Sequence, residues 1–267
     1  MKLISLNTYG GRFFEPIMEF IKQNSADTDI FCFQELLHNE KDMVEVGLFR
    51  ANFFSEISRA LPEFTGTFAP VQPGVYPHGD TTHEIAFGLG ILINKKFSIK
   101  NSGNFFIVGN ELSYITGQVT TLPYKAQFIQ LSIEDKSLTV CNVHGTAFPS
   151  DKLDNPARLE QSKKILDFIA SQDGEKIITG DFNLFPETDS IKIFEKERLN
   201  NLVKDFNIKT TRGSLIKKLH PEYIKPDGTM QEFADYTFIS SGIKPTNYTV
   251  PDLPISDHLP LILEFKI

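Results

Sequence analysis

"KIITGDFNLFP", residues 176–186, begins as a buried strand and ends in chemistry. Residues 176–179 are largely β-branched and apolar, the composition of a short core strand. Gly180 follows, and directly behind it stand Asp181 and Asn183. Side chains two apart in an extended segment point the same way, so a carboxylate and a carboxamide are held together at the end of a core strand. Burying an unpaired charge is costly. These two residues must face something that compensates them.

The same arrangement recurs along the chain. Asn7 ends "LISLN", Glu35 ends "IFCFQE", and Asn142 and His144 end "LTVCNVH". Asp235 opens "DYTFIS", and Asp257 and His258 precede the last strand in "ISDHLPLILEF". Taken singly, each has an ordinary reading: an Asn at a turn, a solvated Glu, a capped His-Gly loop, a polar sheet edge. Taken together, six strand ends carry Asn, Glu, Asp or His and none carries Lys or Arg. Convergence of those ends would build an oxygen-rich, anionic pocket containing two imidazoles. Crowded carboxylates repel unless a cation lies between them, and oxygen donors without Cys select a hard ion, Mg²⁺ or Mn²⁺. Such an ion beside His and amide donors suits a phosphoryl centre. Asp257 and His258 are adjacent and would face opposite ways on a strand. They can share a site only if the segment before Leu259 turns, for which Pro254 and Pro260 are suited.

Composition sets the bounds. The 267 residues, 40% hydrophobic and 23% charged, are those of a soluble globular protein, with 24 Phe and no Trp in the core inventory. A net charge of −7 disfavours standing affinity for a nucleic-acid backbone, although a nuclease that screens phosphate with a divalent cation stays open. Cys32 and Cys141 sit in apolar runs and read as core residues, not a disulfide framework. No signal-peptide pattern or run of transmembrane length is present, so a cytoplasmic monomer is expected.

Apolar runs predict strands at 2–6, 29–34, 88–94, 127–133, 137–143, 176–180, 234–240 and 259–265. Helical spacing predicts helices at 14–24, 41–60 and 156–171, the last with Asn155 as its cap and Pro156 in its first turn. Strands that outnumber helices this way imply an α/β protein rich in antiparallel pairing, formed as one domain over 1–267. Two loops look long, 69–87 and 207–233; residues 72–84 and 207–233 are expected to border the pocket and choose the substrate through His78, His83 and Arg212.

An early Asn-bearing strand, then "QE", "NVHG", "GDFN", "DYTF" and "SDHLP" in that order, resembles the endonuclease/exonuclease/phosphatase superfamily, which includes deoxyribonuclease I. The resemblance runs from Asn7 to the final strand. It implies a four-layer α/β/β/α sandwich of two mixed sheets flanked by helices, and a Mg²⁺- or Mn²⁺-dependent hydrolase of phosphoester bonds, a phosphodiesterase above all. It implies that Glu35 is the principal metal ligand with Asn7 beside it, and that Asp257 is an acid near the metal. Asp181 corresponds to the residue that activates the attacking water, and Asn183 and His144 to phosphate-contacting groups. His258 corresponds to the histidine that stabilises phosphoryl charge, with Asp235 fixing its tautomer. A carboxylate on one imidazole nitrogen stabilises the protonated ring, so a raised His258 pKa is expected. Arg158 corresponds to the arginine of an "R-x-x-Q" pattern at a helix start, a substrate contact. The resemblance leaves DNA, RNA, phospholipid and small phosphoesters open as substrates. A catalytically silent member that binds a phosphate ligand is the alternative reading.

Overall fold

The computed structural model describes residues 1–39, 44–72, 85–115, 117–224 and 231–267. His78 and His83, expected at the substrate, lie outside the described residues. In chain order the first strands are β1 (Lys2–Asn7), β2 (Ile30–His38), β3 (Glu45–Val46), β4 (Phe49–Arg50), β5 (Phe64–Gln72), β6 (Ala86–Asn94) and β7 (Ser98–Val108). They are followed by β8 (Tyr124–Ile133), β9 (Lys136–His144), β10 (Glu175–Asp181), β11 (Asn200–Asn201), β12 (Asp235–Ile239), β13 (Lys244–Thr249) and β14 (Leu261–Lys266). The helices are α1 (Phe14–Asn24), α2 (Phe53–Ala60), α3 (Pro156–Ala170) and α4 (Asp189–Lys196), with single turns α5 (Leu202–Asp205) and α6 (Ile216–Leu219).

Two six-stranded sheets form, in the orders β13-β14-β1-β2-β6-β5 and β11-β12-β10-β9-β8-β7. Each is mixed: β1 pairs parallel with β2, and β9 parallel with β10, while the other pairings are antiparallel. Alternation along the strands decides the layering. Ile4 and Leu6, with Phe31 and Phe33, pack under α1 and α2 against Ile17, Ile21, Phe53 and Ile57. Their neighbours Leu3, Ile30 and Cys32 face the other way, toward the second sheet, where Val140 lies on the same face as Asn142. On the far side α3 lays Phe168 against Phe105 and Phe128, both at 4.6 Å between ring centres. Helices, sheet, sheet and helices therefore stack in four layers, as the resemblance implies.

Polar pins cross the apolar interface between sheets. Gln34 Nε2 donates to Asn142 Oδ1 (2.6 Å), and Asn142 Nδ2 donates to the backbone oxygen of Phe33 (2.9 Å). Hydrophobic packing is non-directional; these bonds set the register of one sheet on the other.

Several expectations need correction. Helix 41–60 shrinks to α2, because Gly47 (φ 59°) turns the β3–β4 hairpin just before it. Strands β5, β7, β11 and β13 were not anticipated, nor was α4. The 69–87 loop is entered by β5 up to Gln72 and left by β6 from Ala86, and the 207–233 loop contains α6. Among the described residues no helix is long and apolar enough to cross a membrane.

Candidate active site

Register in the second sheet lines up three functional side chains. His144 on β9 is paired with Asp181 on β10, and Asp181 with Asp235 on β12. Residues paired across strands project to the same face. Gly180 makes this possible: its φ is 132°, and a Cβ there would lie 2.2 Å from the Val143 carbonyl oxygen. Behind it the chain turns sharply, with Asn183 at φ 54°. Asp181 Oδ1 accepts from Asn183 N (2.8 Å), and Asn183 Nδ2 donates to Gly145 O (3.0 Å). The carboxylate and carboxamide of the "GDFN" segment thus brace each other.

The first sheet supplies the opposite wall. Between the pairs Phe33↔Gly90 and Leu36↔Gly88 the β2–β6 register shifts by a residue, and Glu35 in that bulge takes φ 55°. Bulges re-aim side chains, and this one turns Glu35 toward Asp181. Asn7, at the end of β1, spans the gap: its Nδ2 donates to Glu35 Oε1 and to Asp181 Oδ2, both at 3.0 Å. Burial, then repulsion from Asp257, pushes the Glu35 carboxyl up to about 8. His144 Nε2 lies 3.7 Å from Glu35 and 4.0 Å from Asp181. Burial takes His144 down to about 4, so its ring is neutral.

Asp257 and His258 do share the site, because residues 254–257 turn and bend before the last strand. His258 Nδ1 donates to both oxygens of Asp235 (2.9 and 2.8 Å). Its Nε2 lies 3.6 Å from Asp181 Oδ2. That nitrogen also accepts from Arg212 Nη1 in a short contact. The expected upward shift of His258 is reversed: burial, reinforced by the Arg212 charge, takes it down to about 3. Asp235 alone would favour an imidazolium, but a permanent cation donating to Nε2 occupies the position a proton would take. Asp235 itself is pushed up by burial against the pull of Arg212.

Arg212 was expected on a substrate-choosing loop. It is 5% exposed and reaches the cavity. A bridge between Arg212 and His258, with Gly213 N donating to Asp257 O and Leu259 N to Thr211 O, ties its loop to the last motif. Its Nη1 also meets Asp257 Oδ2 at 2.9 Å. Burial raises the Asp257 carboxyl, but His258 and Arg212 outweigh it and leave the group below the usual range. Asp257, expected near a metal, is therefore already matched by a cation.

Arg158 departs furthest from expectation. It is fully buried, and its guanidinium donates to the carbonyl oxygens of Leu153 (2.7 Å) and Pro149 and to Asp151 (2.9 Å). Gln161, three residues on, accepts from Thr146 N at 2.9 Å. Both residues of the "R-x-x-Q" pattern hold the loop after β9, and neither is among the described residues that line the cavity. That loop carries Lys152, which sequence reasoning missed. Lys152 is 3% exposed and its Nζ lies 3.3 Å from Asn183 Oδ1; burial lowers it to about 7. Arg158→Ala is expected to lower stability by roughly 2–4 kcal/mol, since two backbone carbonyls and the Asp151 carboxylate lose a donor. Urea titration of the variant checks this, and an unchanged midpoint would show that the loop holds itself.

A cavity of about 320 Å³ opens over these groups. Glu35, His144 and Asp181 offer ligand atoms within 4.8 Å of one another, and Asp181, Asp235 and His258 do the same. The first group suits a divalent cation better. Its two carboxylates are bridged by the neutral Asn7 amide, whereas the His258 nitrogen of the second already accepts from the Arg212 cation. Asn7 presents its NH₂ to Glu35 and Asp181 while its Oδ1 accepts from Tyr9 N (3.0 Å). Turned over, the same amide would offer oxygen to a shared cation.

The sequence matches the Endonuclease/Exonuclease/phosphatase family over residues 4–258. The chain belongs to this family. Solved structures repeat its fold at low identity. A mannosyl-6-phosphatase of Bacteroides thetaiotaomicron is 17% identical, with a TM-score of 0.70 and full coverage of both chains. An endonuclease/exonuclease/phosphatase family protein of Leptotrichia buccalis is 14% identical, with a TM-score of 0.73 and full coverage of both. The human Nocturnin catalytic domain, solved with a bound sulfate anion, is 17% identical at a TM-score of 0.64, matched over 100% of this chain and 94% of that one. Among curated proteins no match was found. Membership of the endonuclease/exonuclease/phosphatase family carries an expectation of metal-dependent phosphoester chemistry, which the acidic and histidine groups above are suited to support.

Proposed function

We propose that residues 1–267 act as one catalytic domain, a Mg²⁺- or Mn²⁺-dependent hydrolase of phosphodiesters. The supporting observation is the Asp181 carboxylate, 1% exposed yet facing the cavity, bordered by Asn7, Asn183 and the rings of His144 and His258. A divalent cation held by Glu35, with Asp181 and Asn7, would supply positive charge to the phosphoryl oxygens. Asp181 is placed to accept the proton of an attacking water, held in position by the Asn183 amide. Asn183 Nδ2 and the neutral His144 ring border the place where phosphoryl oxygens would lie. Lys152 steadies Asn183 from behind. His258, its tautomer set by Asp235, lies between Asp181 and Arg212, so the positive charge at this end comes from Arg212 and not from the ring. Asp257 orients Arg212.

The test is hydrolysis of bis(4-nitrophenyl) phosphate by purified protein with Mg²⁺ or Mn²⁺, abolished by EDTA and restored by metal. Asp181→Asn is expected to lower kcat by about 10³-fold with little change in KM, as loss of a general base does. A folded protein that turns over no phosphoester would overturn the hydrolase reading and leave the binding module. One structural relative is a mannosyl-6-phosphatase, which makes phosphomonoesters the second reading. 4-Nitrophenyl phosphate assayed in parallel separates the two.

A further inference from the structure

We infer that the site takes a low-molecular-mass phosphoester with one phosphoryl group bonded to a flat aromatic or heterocyclic group. This rests on the hydrolase reading above and narrows it to a substrate class. The first observation is charge. Among the described lining residues Arg212 is the only Lys or Arg, and its guanidinium is engaged by Asp257 and His258. Glu35, Asp181 and Asp257 line the same space. One phosphoryl group can be accommodated where the acids hold a cation. Among the described lining residues a second phosphate would meet no further Lys or Arg and would face carboxylates.

The second observation is the walls. Tyr9, His220 and Tyr223 form a contiguous aromatic cluster. Tyr9 meets His220 edge-on at 5.5 Å, and His220 stacks on Tyr223 at 4.9 Å with 17° between planes. His144 contacts Tyr124 edge-on at 5.5 Å and Phe87 at 5.8 Å, and Val119 and Phe148 border the same space. Rings and apolar side chains therefore flank the phosphoryl position. Such surfaces favour a planar group by stacking and burial, worth roughly 0.5–1.5 kcal/mol per ring pair beyond area. The third observation is size. A cavity of about 320 Å³ lies at the small end of ligand pockets, which span roughly 300–1,000 Å³.

The experiment measures competition against bis(4-nitrophenyl) phosphate hydrolysis in Mg²⁺ by three probes: inorganic phosphate, phenyl phosphate and inositol 1,4,5-trisphosphate. Phenyl phosphate is expected to inhibit about tenfold more tightly than inorganic phosphate, and the trisphosphate no more tightly than inorganic phosphate. Tyr223→Ala and Val119→Asp, both at half-buried positions, should reduce the phenyl advantage while inhibition by inorganic phosphate stays within about twofold. A trisphosphate that binds more tightly than phenyl phosphate overturns the inference. So does a phenyl advantage that survives both substitutions. In either case the diester is still cleaved and the hydrolase reading stands, whereas absence of diester cleavage removes both.

Discussion

Glu35→Gln is expected to lower turnover by roughly three orders of magnitude, about 4 kcal/mol of transition-state stabilisation, while making the metal-free protein more stable at alkaline pH. The two effects have one cause. The Glu35 carboxyl is raised from 4.5 to about 8, first by burial and then by Asp257. Between those values the folded state holds a proton that the unfolded state has released. The stability contributed by this group is therefore present below about 4.5 and lost as pH rises through about 8. A neutral amide removes that loss. At pH 8.5 without metal the variant should gain about 2 kcal/mol, roughly 4–8 °C in Tm for a chain of this size. Mg²⁺ should raise the Tm of the parent protein more than that of the variant. Thermal denaturation with and without EDTA across pH 5–9 measures all three. A variant less stable than its parent at every pH would show that Glu35 is held by neighbours rather than strained against them.

Arg212→Gln should release His258. With the cation gone from Nε2, the ring keeps Asp235 on Nδ1 and becomes able to take a proton. Its titration should move from about 3 into the range of roughly 5–7, with burial and the nearby Lys152 still opposing the charge. Turnover should fall by about 10²–10³-fold, because an imidazolium that appears only below neutral pH does not replace a permanent guanidinium. Asp257 would lose its partner as well, so Arg212→Lys is the companion variant: it keeps a charge near Asp257 but not the two-ended contact, and should fall between. Adding Asp235→Asn to Arg212→Gln should push the His258 titration down again. NMR titration of the imidazole signals reads these shifts directly. A His258 that stays unprotonated to pH 4 in Arg212→Gln would mean that burial, not Arg212, sets its state.

Most central strands were legible in the sequence because they are buried on both faces and read as apolar runs, as β9 and β10 do, while β14 alternates buried and exposed positions. The four large-sheet strands not anticipated, β5, β7, β11 and β13, are the four sheet edges. β7 reads "SIKNSGNFFIV" and β13 "KPTNYT". Edges carry charges, Pro and Gly as protection against unwanted pairing, so the pattern that reveals a strand is diluted where a sheet ends. In the site, polar residues were legible as the ends of apolar runs, but Asn183 reaches Asp181 through a turn at φ 54° and not through an extended segment. Lys152, Tyr9 and His220 come from loops, which have no period to read. Lys152 lies in a loop rich in Pro and Asp, and nothing in the sequence says that it is buried. The state of His258 was misjudged for a related reason. The segment carrying Arg212 meets the last motif through tertiary pairing over 46 residues.

The bulge that aims Glu35 has one further implication. Pairing across β2 and β6 is regular up to Phe33↔Gly90 and regular again from Leu36↔Gly88 through His38↔Ala86. One residue is surplus there. An in-frame loss of a single codon at that point would leave a continuous ladder, relieve a backbone held at φ 55° and take the carboxylate away. For a lineage carrying this gene, the chemistry can be deleted without deleting the fold. Retention of the irregularity is the trace that selection would leave on a working site.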